Sequence, residues 1–179
     1  LRFAELATEA GLPAGALNIV TGYGREAGAA LAGHPDINLI TFTGSPEVGV
    51  TIQTAAAANH VKCVLELGGK CPQVVFADAD LDKAVPVIVG AIIQNAGQTC
   101  SAGSRLLVQR EVYDKVVDRV AARFREMRVG LPETSPDCGP IITGAQFGRV
   151  KQFIQECKDS QLPIIAEALM DHDLPQDGY

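Results

Sequence analysis

The run Ile37 to Phe42 is short, apolar and β-branched, and it passes without a linker into Thr43-Gly44-Ser45-Pro46-Glu47. The first part reads as a strand. The second has the chemistry of a helix start: Ser45 is a good N-cap, Pro46 suits the first helical position, and Glu47 complements the positive end of the helix dipole. A strand feeding a helix in this way is the building unit of a parallel sheet with crossover helices. That constraint outweighs anything composition alone can say.

The rest of the chain keeps the alternation. A helix over Leu1 to Ala10 is stopped by Gly11-Leu12-Pro13, and Ala16 to Val20 reads as a short strand. Gly22-Tyr23-Gly24 turns the chain into a small-residue helix, Arg25 to Ala32. The helix begun at Pro46 is expected to reach about Ala58, with strands at Val61 to Leu67 and Gln73 to Ala77. Asp78, Asp80 and Asp82 then lead into a helix from Leu81 to Asn95, broken by Gly97. After a strand at Arg105 to Gln109, the residues Tyr113, Val116, Val117, Val120, Phe124 and Met127 share one helical face. A loop over 132–140, a helix marked by Phe147, Val150, Phe153, Ile154 and Cys157, and a strand starting at Pro163 to Ile165 complete the reading. The fold class is α/β with a parallel sheet.

Several function classes are disfavoured. The 179 residues carry a net charge of −6, no Trp and 5% aromatics, which leaves neither a basic footprint nor a stacking platform for nucleic acid. The longest nearly unbroken apolar run, Ala84 to Ile93, has ten residues, against the roughly 20 of a membrane-spanning helix. The chain begins without Met or a signal-peptide pattern, as expected of a piece of something longer. Five Cys without a CxxC pair argue against a disulfide scaffold and for a reducing, cytoplasmic compartment. Three scattered His give no metal-ligand spacing, so no metal is expected.

Three segments carry chemistry. The turn at Gly44-Ser45 has the backbone pattern of an anion site at a helix start, or of an ordinary capped βα turn. Gly22-x-Gly24-x-x-x-Gly28 lacks the dinucleotide-binding spacing and reads as a turn. Within Leu65-Glu66-Leu67-Gly68-Gly69-Lys70, Glu66 is a carboxylate in an apolar strand. It is either a base whose pKa burial raises, or a strand-end residue paired with Lys70. In Asn95-Ala96-Gly97-Gln98-Thr99-Cys100-Ser101, Cys100 alone of the five has the small polar surroundings of a reactive thiol. Asp78-x-Asp80-x-Asp82 opens like a calcium loop, but Lys83 and Val89 occupy the positions that need Gly and Glu, so these acids are read as helix caps.

Taken in order, Phe42-Thr43-Gly44-Ser45-x-x-x-Gly49, Leu65-Glu66-Leu67-Gly68-Gly69-Lys70 and Gly97-Gln98-x-Cys100 resemble the NAD(P)-dependent aldehyde dehydrogenase superfamily, as does the 34-residue separation of Glu66 from Cys100. The resemblance runs from Leu1 to at least Ile165. It implies a Rossmann-like fold, with 1–67 as the end of the cofactor-binding domain and 68–179 as the start of the catalytic domain. It implies Cys100 as nucleophile and Glu66 as the base that activates water. It further implies Thr43, Gly44, Ser45 and Gly49 bordering NAD or NADP, with Leu67 near the nicotinamide. An aldehyde would be the substrate, and the parent protein a homo-oligomer. The family's Pro-Trp-Asn, ribose-binding Lys and Glu-x-x-Gly-Pro motifs are not in this sequence, and Cys71 stands where a small polar residue is commoner. A CoA-acylating enzyme and an inert fragment or structural paralogue are the alternative readings.

Overall fold

A computed structural model of the chain describes residues 1–170 and divides into two compact units, Leu1–Leu67 and a second that begins at Gly68. The tail past 170, including the last residues of the expected 68–179 domain, lies outside the described residues.

The first unit opens with helix α1 (Arg2–Glu9). Its end is closed by a Schellman arrangement, in which Leu12 N–H bonds Ala7 O and Gly11 N–H bonds Thr8 O, with Gly11 at φ 90°. The expected strand at Ala16 to Val20 does not form. Ala16 N–H bonds Pro13 O and Asn18 Nδ2 bonds Gly15 O, so local turn bonds satisfy this segment instead of a sheet ladder. The expected 25–32 helix starts one residue early. It is a π turn at Gly24–Gly28 that tightens into α2 (Ala29–Ala32). Strand β1 spans Leu39–Gly44, two residues later than expected, because Ile37 N–H is used in a turn to His34 O. Helix α3 (Pro46–Ala58) follows, capped as its sequence dictates: Ser45 Oγ accepts Val48 N–H at 3.3 Å.

Strand β2 (Lys62–Leu67) pairs parallel with β1, so the two strands and α3 make one βαβ unit. The interior of this unit is built from small groups. Ala32 and Ala56 are buried, and Asn59 Nδ2 ties the end of α3 to Gly33 O.

The second unit repeats the plan with larger side chains. Strand β3 (Pro72–Val75) pairs parallel with β4 (Arg105–Val108), and α4 (Leu81–Ile93) crosses between them. Asp80 caps α4 by accepting Asp82 N–H. Helix α5 (Tyr113–Glu126) presents the expected stripe. Val116 is fully buried among Val75, Leu81 and Ile88, while Val120 and Phe124 pack with Val85, Val89 and Met127. Strand β5 (Arg128–Val129), helix α6 (Gly144–Asp159) and strand β6 (Leu169–Met170) follow. The expected strand at Pro163 to Ile165 is absent. Arg125 Nη2 takes the Ile165 carbonyl, and pairing begins only where Leu169 meets Arg128. Every strand pair among the described residues is parallel.

Candidate active site

The β1–β2 register places two of the three motifs side by side. Thr43 lies opposite Glu66 and Gly44 opposite Leu67, at the carboxyl ends of adjacent parallel strands. Ligands of open α/β sheets bind at that edge. Alternation then assigns the faces. Lys62, Val64 and Glu66 are exposed, whereas Cys63, Leu65 and Leu67 are half-buried. Glu66 is therefore not buried: of the two readings its sequence left open, the strand-end one fits, although Lys70 Nζ donates to Gly69 O. Its period-2 neighbours are a lysine and a surface valine, and its carboxylate faces outward beside Thr43. Leu67 turns to the opposite side, where α3 approaches closely. A Cβ on Gly49 would lie 2.7 Å from Leu67 Cδ2, so glycine is what lets the helix sit there. At Gly44 a Cβ would collide with the Phe42 ring.

The start of α3 offers fewer amides than the motif alone suggests. Pro46 has no N–H, Val48 N–H goes to Ser45 Oγ and Gly49 N–H to Ser45 O. An anion here would meet the helix dipole and the exposed hydroxyls of Thr43 and Ser45 rather than a row of spare amides.

Cys100 belongs to the second unit, on a turn between α4 and β4. It alone of the five cysteines is exposed; Cys63, Cys71, Cys138 and Cys157 are half-buried. The turn is braced on both sides. Before it, Asn95 and Ala96 sit in the left-handed region (φ 52° and 54°), followed by Gly97 at 73°. Left-handed backbone costs a non-glycine residue about 1–2 kcal/mol, so something must hold it. Gln98 does. Its Nε2 donates to Asn95 O at 3.0 Å, Asn95 Nδ2 donates back to Gln98 O at 3.1 Å, and Gln98 Oε1 accepts Ile142 N–H at 2.9 Å.

After the turn, Gly103 N–H bonds Ala91 O, one of the free carbonyls at the end of α4. Gln73 Nε2 donates to Gly103 O at 2.9 Å and to Ile88 O at 3.2 Å. A Cβ on Gly103 would strike that Gln73 side chain. Between these anchors, Cys71 Sγ approaches Cys100 O at 3.5 Å. No acceptor takes the Cys100 N–H among the described residues.

Gln98, named in the sequence only as part of a motif, and Gln73, not singled out at all, are the residues that brace the turn. For Gln98 the signal was present, as an amide side chain one residue past a left-handed glycine. For Gln73 it was not, because both of its partners lie more than a dozen residues away. Two titratable groups depart from their ordinary values. The Lys83 ammonium bonded to Asp80 at 3.1 Å holds that carboxyl low, with help from the Asp82 and Lys83 amides and Arg119 against some desolvation. Burial, with Asp137 nearby, pushes the Cys138 thiol up. Among the described residues no three His, Cys, Asp or Glu side chains gather as a metal site, and no helix is long and apolar enough to cross a membrane.

The chain is similar to known proteins. The profile of the Aldehyde dehydrogenase family matches residues 1–179. A hydroxyisobutyraldehyde dehydrogenase of Mycolicibacterium austroafricanum is 42% identical over all of this chain and 36% of its own length. A crystal structure of a Burkholderia cenocepacia protein proposed to be an aldehyde dehydrogenase superposes with a TM-score of 0.97 at 57% identity, covering 99% of this chain and 37% of that one. Betaine aldehyde dehydrogenase of Staphylococcus aureus, solved with NAD+, superposes with a TM-score of 0.84 at 36% identity over 89% of this chain and 32% of its own. The chain thus spans about a third of the length of the curated relatives it matches.

Proposed function

The chain belongs to the aldehyde dehydrogenase family, and from that premise we propose that it carries the nucleophile, the base and part of the cofactor edge of an enzyme that oxidises an aldehyde to a carboxylic acid with NAD(P)+. The observation that carries the proposal is the braced turn that exposes Cys100 alone among five cysteines. In this reading Leu1–Leu67 is the end of the cofactor-binding domain, and Gly68 opens the catalytic domain.

Cys100 attacks the aldehyde carbon as a thiolate, forming a C–S bond and an alkoxide. The Cys100 N–H, which no acceptor among the described residues takes, is a donor for that developing charge. The cofactor supplies a hydride acceptor. Thr43 and Ser45 hydroxyls would bind its polar groups at the head of α3, where Gly44 and Gly49 keep the edge close-packed, and Leu67 would line the nicotinamide side. With the hydride passed to the bound cofactor, Cys100 would carry the acyl group as a thioester. Glu66, exposed at its strand end, takes a proton from water. The resulting hydroxide attacks the acyl carbon, and the acid leaves as the C–S bond breaks. Retention of Glu66 favours hydrolysis over transfer to CoA. The odd cysteine count without CxxC supports a cytoplasmic setting, and the resemblance supports a homo-oligomeric whole protein.

The test is reduction of NAD+ or NADP+ on mixing the chain with a panel of aldehydes. Sustained formation of reduced cofactor is expected, with none for Cys100→Ser. Glu66→Gln is expected to give a single burst, leaving an acyl mass on the tryptic peptide 84–105. No reduction by the unmodified chain, or equal reduction by Cys100→Ser, overturns the proposal.

A further inference from the structure

We propose that Cys71 and Cys100 form a reversible disulfide under oxidation, making Cys71 the resolving thiol for an exposed, oxidisable Cys100. The juxtaposition is built by two segments far apart in sequence. Cys71 Sγ lies 3.5 Å from the carbonyl oxygen of Cys100, 29 positions further along the chain. It is not an isolated touch. Gly69 runs along the same turn, where a Cβ would lie 3.7 Å from Cys100 O. The approach is fixed by β4: Arg105 N–H bonds Cys71 O, and Arg105 Nε bonds Lys70 O at 2.8 Å.

A carbonyl oxygen and the Sγ of the same residue are only a few bonds apart, and the Cys100 side chain is exposed. Cys71 Sγ therefore already sits beside the Cys100 backbone, and the exposed Cys100 side chain is not packed away from it. Both thiols are free, and Cys100 lies in a turn rather than in a helix or strand, between the anchored residues 95–98 and 103 and not itself one of them. The other cysteines are worse placed. Cys63 lies on the half-buried face of β2, Cys157 is on α6, and Cys138 Sγ is engaged with Gly139 O in a half-buried site.

The chemistry balances with a hydroperoxide as oxidant. The Cys100 thiolate attacks the distal peroxide oxygen, the O–O bond breaks, and an alcohol (water, from hydrogen peroxide) leaves with a proton. Cys100 becomes a sulfenic acid. The Cys71 thiolate then attacks that sulfur and the S–O bond breaks. Hydroxide leaves and takes the proton Cys71 gave up, as a second water. Two thiols lose two electrons and the peroxide gains them; a dithiol reverses the bond by exchange. The cross-link takes the Cys100 sulfur out of chemistry while protecting it from irreversible oxidation to sulfinic acid. That consequence rests on the proposed role of Cys100, whereas the cross-link itself does not.

The test is a non-reducing peptide map of the full chain after at least two equivalents of hydrogen peroxide, enough to carry an unprotected thiol to sulfinic acid, with remaining thiols capped by N-ethylmaleimide. Trypsin releases Cys71 in peptide 71–83 and Cys100 in peptide 84–105, each as the sole cysteine of its peptide. The expected product is the mass of these two peptides joined, dispersed by dithiothreitol, with Cys63, Cys138 and Cys157 still capped. Cys71→Ser and Cys71→Ala should both lose the linked mass, and their Cys100 should gain two oxygens that dithiothreitol does not remove. Sulfinic acid at Cys100 of the unmodified chain beside a capped Cys71, or a cross-link through another cysteine, overturns the proposal. A chain that cross-links but leaves aldehydes unoxidised refutes the proposed function alone. One that oxidises aldehydes but does not cross-link refutes this inference alone.

Discussion

Replacing Ala96 by glycine should stabilise the protein, although glycine normally weakens a fold. Ala96 has φ 54° and ψ 35°, in the left-handed region. An alanine there costs about 1–2 kcal/mol relative to unstrained backbone, because its Cβ crowds the following carbonyl. Glycine is free of that cost but loses about 0.4–1 kcal/mol more unfolded-chain entropy on folding. The difference favours glycine by about 0.5–1 kcal/mol. For a chain of this size that corresponds to a rise in Tm of about 2 °C. The matched control is Ala122→Gly, at an exposed position inside α5 where the backbone is ordinary helix. There the change should cost about 1 kcal/mol and lower Tm by about 2–4 °C. Thermal unfolding followed by circular dichroism reads both. Opposite signs are expected. A fall for Ala96→Gly as large as that for Ala122→Gly would refute the claim that the turn before Cys100 is held under backbone strain.

Other outcomes follow from the same geometry. Gln98→Ala removes two side-chain hydrogen bonds, worth about 1 kcal/mol each, and with them the clamp to Asn95 and Ile142. Iodoacetamide labelling of Cys100 should lose its lead over the half-buried cysteines in that variant. Val116→Ala, at a fully buried position, should cost about 2 kcal/mol from the lost groups plus a residual cavity, read as a shift in the denaturant midpoint with unchanged slope. The folded-state pKa of Asp80 is held below 3.8, so its contribution to stability is complete above that value and is lost as pH falls through the lower folded-state value. Tm measured from neutral to acid pH should fall less steeply in Asp80→Asn, which retains a capping oxygen.

The elements legible in the sequence were those whose ends carry local chemistry. Ser45-Pro46 and Asp80 mark helix starts through bonds to amides two or three residues on, and the stripe from Val116 to Met127 is set by helix periodicity. Ala16 to Val20 and Pro163 to Ile165 were misread because a strand exists only where a ladder partner does, and composition does not say where partners are. For Glu66 the sequence left two readings open, a buried base and a strand-end residue, and only the register separates them. The apolar letters on either side suggested burial, but alternation sends Leu65 and Leu67 to one face and Glu66 to the other. The motif positions themselves were legible. Their arrangement was not: the opposition of Thr43 to Glu66 comes from the parallel register, and the approach of Cys71 to Cys100 comes from β3 lying beside β4.

The central claim is that this chain builds a reactive Cys100 site responsive to a nicotinamide cofactor. The direct measurement is the rate of iodoacetamide modification at each of the five cysteines at neutral pH, with and without NAD+, resolved by peptide mass. Cys100 should be modified first, at a rate that NAD+ changes, and Cys138, whose thiol burial keeps protonated, should be among the slowest. Even modification of all five cysteines, unmoved by NAD+, would contradict the account.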